Sequence, residues 1–307
     1  MTPAPPSTAP LLVSVGELLW DLLPSGPQLG GAPANVACHA AALGARAAVI
    51  SRVGDDPLGR RAMEILASRG LDVQAIDVLP GAPTGTVHVE VDASGHPTFD
   101  IVRDVAWDQL AATTAAMSAI SAADAICFGT LAQRTPSGMA AVSAMVDSAR
   151  PNALRVLDIN LRVPFHSPEV IKASLARADV LKLNDDELPI LARQLGLTGS
   201  PPDVVGRLAS IFGMDAVALT MGARGAGLWV DGRWFAQPSM AVQVVDSVGA
   251  GDAFTAALIL GLLGGLPPED VLRRAVEVAA FVCTQPGATP LLPERLKAIP
   301  KNFRKHW

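Results

Sequence analysis

The sequence predicts an α/β fold, with a parallel sheet between two layers of helices and a small β-sheet lid. Three observations predict it. Short apolar runs alternate with stretches at helical spacing along most of the chain. One segment, 84–102, instead alternates apolar and polar residues with period two around the turn DASG. Half of the 307 residues are apolar and 17% are charged, which suffices for a sizeable buried core.

The elements follow in order. The opening MTPAPPSTAP lacks a basic or apolar leader region and is expected to be a disordered tail, residues 1–10, ahead of one domain spanning 11–307. Leu11–Val15 is a buried strand, and a second apolar-polar stretch runs on to Leu23. GGAPANVACHAAALG is a helix, with Pro33 suited to its first turn and Gly44 to its end. AAVISRVG is a strand, and PLGRRAMEILASRG is a helix closed by Gly70. AICFG, LRVLDIN, DVLKLN and DAVALTMG are further buried strands, and SGMAAVSAMVDSAR and PEVIKASLARA are helices between them. The hairpin at 84–103 is not stable alone. Its natural partner is the segment 18–29, so the two together are expected to form the lid.

Composition excludes several classes. A net charge of −5 argues against nucleic acid or an anionic membrane as partner. Three dispersed cysteines lack metal-ligand spacing and suit a reducing, cytoplasmic setting. The longest apolar stretch, about 256–266, is too short and glycine-rich to span a bilayer. Neither a dinucleotide fingerprint nor a Walker loop is present, because Phe254 stands where a third glycine is needed and Gly-Lys is absent from the chain.

The residues that point to chemistry lie first in DSVGAGDAF. Gly249, Ala250 and Gly251 can turn successive N–H groups toward one point, where the following helix adds the positive end of its dipole. An anion is the simplest ligand there. Asp252, in the first turn, would repel that anion unless its task is to take a proton from an attacking hydroxyl. The plainer alternative is a turn and a helix cap. LTMGARG places Thr220, Gly222 and Gly225 after a strand, as a ligand loop or as a hairpin turn. Asn184 and Glu187 have capping-box spacing, and Glu187 could equally order waters around Mg²⁺. Asp158, Asn160 and Arg162 fall on alternate positions, which predicts polar groups pointing one way from a strand's end or simple termination at the surface. Asp21, Gly30, Gly31 and Asn35 suit hydrogen bonding to a polyol, or a turn and a capped helix. His39, His88, His96 and His166 show no ligand or triad spacing and are given structural or solvent roles, as is the basic tail KNFRKHW.

Together GGAPAN, NDDE, LTMGARG and DSVGAGDAFTAALI, in that order, resemble the PfkB, or ribokinase-like, family of carbohydrate kinases, with Ser247 where threonine is more usual. The resemblance covers about residues 11–290. GELLWDLLP, DINLR and AWD look closest to bacterial fructokinases and their relatives, including 2-keto-3-deoxygluconate kinases. It implies a ribokinase-like fold and ATP-dependent phosphorylation of a sugar hydroxyl, with fructose the best single substrate. Asp252 would be the catalytic base and Gly249, Ala250 and Gly251 the anion hole. Asn184 and Glu187 would order Mg²⁺ and the phosphates, and Thr220, Gly222 and Gly225 would bind ATP. Asp21, Gly30, Gly31 and Asn35 would contact the sugar, and Arg162 would lie near phosphates or substrate. Asp246 and the carbonyl of Val248 would border a site for a monovalent cation, K⁺, opposite QPGA. Arg103, in a lid strand without tyrosines, could reach an acid sugar. A ribokinase, a nucleoside kinase stacking its base on Phe99 or Trp107, and a catalytically silent sugar-binding protein are the alternatives. Pairing of two copies through the lid is left open.

Overall fold

The computed structural model describes residues 9–24, 26–91 and 97–297. The expected tail up to residue 8, the turn at 92–95 and the basic C-terminus lie outside them. Strands β1 (Leu11–Val15), β2 (Leu19–Leu23) and β3 (Gly26–Gly30) precede helix α1 (Ala32–Ala42). Then come β4 (Arg46–Gly54), α2 (Pro57–Ser68), β5 (Ile76–Leu79), β6 (Gly85–Val91) and β7 (Pro97–Ile101). The middle of the chain supplies α3 (Thr114–Ala122), β8 (Ala125–Phe128), α4 (Pro136–Asp147), β9 (Leu154–Asp158), α5 (Pro168–Leu175) and β10 (Val180–Asn184). It ends with α6 (Glu187–Leu195), α7 (Pro201–Phe212), β11 (Ala216–Thr220), β12 (Ala226–Val230), β13 (Arg233–Gln237), α8 (Ala250–Leu263) and α9 (Pro268–Cys283).

Nine strands form the central sheet in the order β13-β12-β11-β10-β9-β8-β1-β4-β5. From β5 to β11 every pairing is parallel, while β12 and β13 add an antiparallel edge. A parallel strand buried on both faces should be apolar throughout, and β1 is buried at every position. Its Leu12 faces a core shared with α1, α2, α8 and α9, and Val13 and Val15 face one shared with α3 to α7. The two layers of helices therefore cover opposite faces of one sheet.

The departures from alternation build a second sheet in the order β3-β2-β6-β7. Trp20 pairs with Leu29 across β2 and β3, and β2 runs parallel to β6 with Leu19 opposite Gly85. This sheet rests on its own small apolar cluster, where Leu19, Val87, Ile101 and Trp107 pack against Leu131 and Ala132. One expectation fails locally. Strand β9 stops at Asp158, and Asn160 takes φ of 43°, so Asp158, Asn160 and Arg162 do not line one edge. Asp158 turns inward and is buried, whereas Arg162 is exposed.

Candidate active site

Parallel strands deliver their carboxyl ends to one edge of the sheet, where ligands bind in open α/β folds. Here that edge gathers Glu17 after β1, Asp158 at the end of β9, Asn184 at the end of β10 and Thr220 at the end of β11. The N-terminus of α8 points into the same region. Its cap, Gly249, has φ of 78°, and a Cβ there would sit 2.0 Å from the carbonyl oxygen of Ala288. Only glycine fits, so the turn into α8 is held against the 285–288 loop. Asp246 fastens the two segments further: its carboxylate accepts the N–H of Val248 at 3.0 Å and that of Gly287 at 3.0 Å.

Asp252 stands half-buried in the first turn of α8. Its Oδ2 accepts a hydrogen bond of 2.8 Å from Asn35 Nδ2, on α1, which leaves Oδ1 for another partner. Burial raises its pKa to about 6, reinforced by the charge of Asp158 and opposed by Asn35, Lys182 and Arg162. A carboxylate poised there is ionised at neutral pH and still basic enough to accept a proton.

Two side chains not foreseen as functional complete this edge. Glu17 is buried, and its Oε2 has no hydrogen-bond partner among the described residues. Burial lifts its pKa to about 7, against bonds from its own N–H and that of Ala32 and the pull of Arg162. Lys182, on β10, is buried too and makes an ion pair of 3.1 Å with Asp158. Thr255, on α8, donates to the other oxygen of Asp158 at 2.7 Å. Both had a signal in the sequence: an acid directly after a buried strand and a lysine inside one are rarely buried without a purpose.

The segments before and after β3 bring Asp21, Gly30 and Gly31 together. Asp21 is half-buried on β2, and a Cβ on Gly30 would lie 2.5 Å from its Oδ2. Gly31 has φ of 106°, and a Cβ there would be 2.4 Å from the carbonyl of Glu17, so the chain can cross that carbonyl only as glycine. Burial raises the pKa of Asp21 and Arg162 opposes the rise. Arg162 thus acts on Glu17, Asp21 and Asp252 alike. Arg103 does not join them. It stacks over Phe165 at 4.9 Å and lines a separate cavity of about 270 Å³ with Arg134 and His166, which neither Asp21 nor Asp252 lines.

On the other side of the α8 N-terminus a cavity of about 580 Å³ opens, roomy enough for a nucleotide. Asn184, Thr220, Gly222, Gly225, Ala250 and Gly251 border it, and Phe254, Val276, Ala279 and Cys283 form an apolar wall. The segment LTMGARG is the hairpin turn between antiparallel β11 and β12, and its Thr220, Gly222 and Gly225 line the cavity. Asn184 and Glu187 cap reciprocally. Asn184 Oδ1 accepts the N–H of Glu187 at 2.9 Å, and Glu187 Oε2 accepts that of Asn184 at 2.8 Å. Glu187 Oε1 holds the N–H of Leu161 at 2.8 Å, so this buried carboxylate locks the ends of β9 and β10 together.

A carboxylate whose pKa burial has raised, a helix N-terminus and a nucleotide-sized cavity on one edge of the sheet are the parts of a phosphoryl transferase. Comparison with known proteins agrees. Residues 27–295 match the pfkB family carbohydrate kinase. The chain belongs to the PfkB family. Fructokinase-1 of Oryza sativa subsp. japonica is 32% identical to this kinase over 94% of the chain and 96% of its own length. A sugar kinase of Pyrococcus horikoshii solved in complex with ATP superposes with a TM-score of 0.80 at 29% identity, covering 91% of this chain and 94% of the other. A fructokinase of Vibrio cholerae solved with fructose, ADP and calcium ion gives 0.78 at 25% identity, over 95% and 99%. The PfkB kinase is thus an ATP-using carbohydrate kinase, and among its described residues no helix is long and apolar enough to cross a membrane.

Proposed function

We propose that this kinase transfers the γ-phosphoryl group of ATP to a hydroxyl of a neutral ketohexose, fructose being the substrate that fits best. The observation that carries the reading is the position of Asp252, between the Asn35 and Asp21 side and the large cavity. A sugar beneath the second sheet presents a hydroxyl to Oδ1 of Asp252, and ATP in the cavity presents its γ-phosphorus to the same point. Asp252 takes the hydroxyl proton as the oxygen bonds to phosphorus and ADP departs. The N–H groups of Gly249 and Gly251 would face the charge that develops on the phosphoryl oxygens. That of Ala250 donates to the Ser247 carbonyl at 3.3 Å and would have to leave it to join them.

Among the described residues no cluster of three or more His, Cys, Asp or Glu is arranged to hold a metal. Mg²⁺ would enter on the triphosphate beside Asn184, which borders the cavity. Glu187, buried with its two oxygens on the N–H groups of Leu161 and Asn184, does not reach the cavity and would serve by holding Asn184 in place. The loop of Asp246 and the Val248 carbonyl would be the place for K⁺.

The second sheet acts as a lid, because a site that phosphorylates sugars must exclude water. The sugar class follows from charge. Asp21 suits a neutral polyol. Of the two arginines that could compensate it for an acid sugar, Arg103 is not among the groups acting on Asp21 and Arg162 is, so an acid sugar would rely on Arg162 alone. A nucleoside is disfavoured: Trp107 is fully buried with the Arg134 guanidinium 4.0 Å over its ring, leaving no face for a base. The test is product formation from fructose, tagatose, ribose, 2-keto-3-deoxygluconate and adenosine. Fructose should give the highest kcat/KM, and Asp21→Ala should raise its KM strongly with the KM for ATP nearly unchanged. A higher kcat/KM for the acid sugar overturns the assignment.

A further inference from the structure

Buried lysines are expensive unless their charge has a use. Lys182 is one, 7% exposed, in the middle of an otherwise apolar strand. Burial works against its charge, yet the fields of Asp158, Glu187 and Asp252 outweigh it and hold the pKa above the ordinary lysine value. The ammonium is held in a buried ion pair with Asp158. Of its three donors one is engaged, by Asp158 at 3.1 Å, the one hydrogen-bond partner it has among the described residues. Asp158 is itself pinned to α8 by Thr255. The cation consequently stands in fixed register with the first helical turn, and a Cβ on Gly251 would lie 3.2 Å from Nζ.

Placing a cation under a helix N-terminus opposes the helix dipole. The arrangement makes physical sense when an anion occupies the far side of that turn. We propose that Lys182 is the fixed cation beneath the anion hole, steadying the charge of the transferred phosphoryl group and of Asp252 through the bare Cα of Gly251. It touches no substrate and is a positioning residue, and the inference rests on the functional reading above. The groups facing Asp252 are Asp158 from β9, Lys182 from β10, Asn35 from α1, Arg162 from the loop after β9 and Glu17 from the loop after β1.

Removing one member of a buried pair risks unfolding, so the double variant Lys182→Met with Asp158→Asn decides kcat. Asp158→Asn and Lys182→Met singly, each checked for an intact melting transition, supply the pH limbs. The double variant keeps shape and a partner for Thr255 without a buried charge. It should retain its melting temperature within a few degrees and its KM for ATP within a few-fold, and lose ~10–100-fold in kcat. Asp158→Asn alone keeps the ammonium and removes a negative neighbour of Asp252. Its acid limb of kcat/KM should move down by roughly one pH unit, and that of Lys182→Met should move up. Wild-type kcat in the double variant, or limbs that stay put or move together, overturns the proposal and leaves the pair a structural one. Asp252→Asn run in parallel separates the two claims: if it turns over normally, the base assignment falls, whereas a dead Asp252→Asn beside a fully active double variant sinks Lys182 alone.

Discussion

Asp252 and Glu17 are both carboxyls pushed upward by burial, with opposite consequences. Asp252 works only when ionised, so kcat/KM should climb through pH about 6 and level off above it. Asp252→Asn should remove that limb and lower kcat by ~10²–10⁴-fold in a protein that still binds ATP, which steady-state kinetics and titration calorimetry check together. Glu17 affects stability. Its pKa rises from 4.5 to about 7 on folding, so the stability conferred by its buried neutral form is complete below pH 4.5 and is lost as pH climbs through about 7. That difference is on the order of 3 kcal/mol. Glu17→Gln stays neutral, and should melt several degrees above the wild type at pH 8 with the gap closing toward pH 4.5. At this scale the site was half legible. Asp252, Asn35, Asn184 and Thr220 stand in motifs whose spacing shows in the chain. Glu17 and Lys182 act through neighbours from distant segments, Asp158 being 24 residues from Lys182 and 97 from Thr255 along the chain.

Elements were easier to read than contacts. Period-two alternation marked the hairpin of β6 and β7, and apolar runs between glycines marked the parallel strands, because burial on one face or two imposes those patterns. Helices α3, α7 and α9 and strands β5 and β13 fall outside the elements named from the sequence. β5 and β13 are short and only partly buried, so neither pattern is imposed on them. The inward reach of Asp158 escaped notice for a related reason, since a strand's end depends on what packs against it. Element α8 carries the sharpest test. Gly249→Ala must hold a left-handed residue at about 1–2 kcal/mol. It must also move the Ala288 carbonyl, now 2.0 Å from where the methyl would stand. The expected result is a lower melting temperature together with a kcat loss larger than the change in KM for sugar. A fully active, equally stable variant would show that the α8 turn has other ways to form.

Across the whole molecule, the two candidate ligand regions lie on opposite sides of one helix terminus, and each is built by a different kind of chain. The large cavity is walled by the antiparallel edge of the central sheet and by α8 and α9. The polar groups around Asp21 lie on the second sheet, part of which packs on Leu131 and Ala132 of the body. Trp20 of β2 is also buried in the large core of α1, α2, α8 and α9, with Leu22 and Leu29 packed against that core, so closure of the sheet would pivot about this anchor. Addition of fructose with a non-hydrolysable ATP analogue should therefore slow amide exchange in β2, β3 and β6 while leaving β8 and β9 unchanged. Equal protection everywhere would mean global tightening rather than closure of a lid.

The hydrogen bond from Asn35 to Oδ2 of Asp252 bears on regiochemistry. With Oδ2 engaged by Asn35, Oδ1 is the oxygen left without a protein partner among the described residues to receive a proton, and the N-terminus of α8 would fix where phosphorus must lie relative to it. On the proposed mechanism, identity of the sugar and position of attack would be governed separately: the groups around Asp21 would choose the molecule, and the Asn35–Asp252 pair the oxygen. Every sugar the enzyme accepts, poor ones included, should emerge as one phosphate regioisomer by phosphorus NMR. Asn35→Ala frees the second oxygen and should yield a mixture.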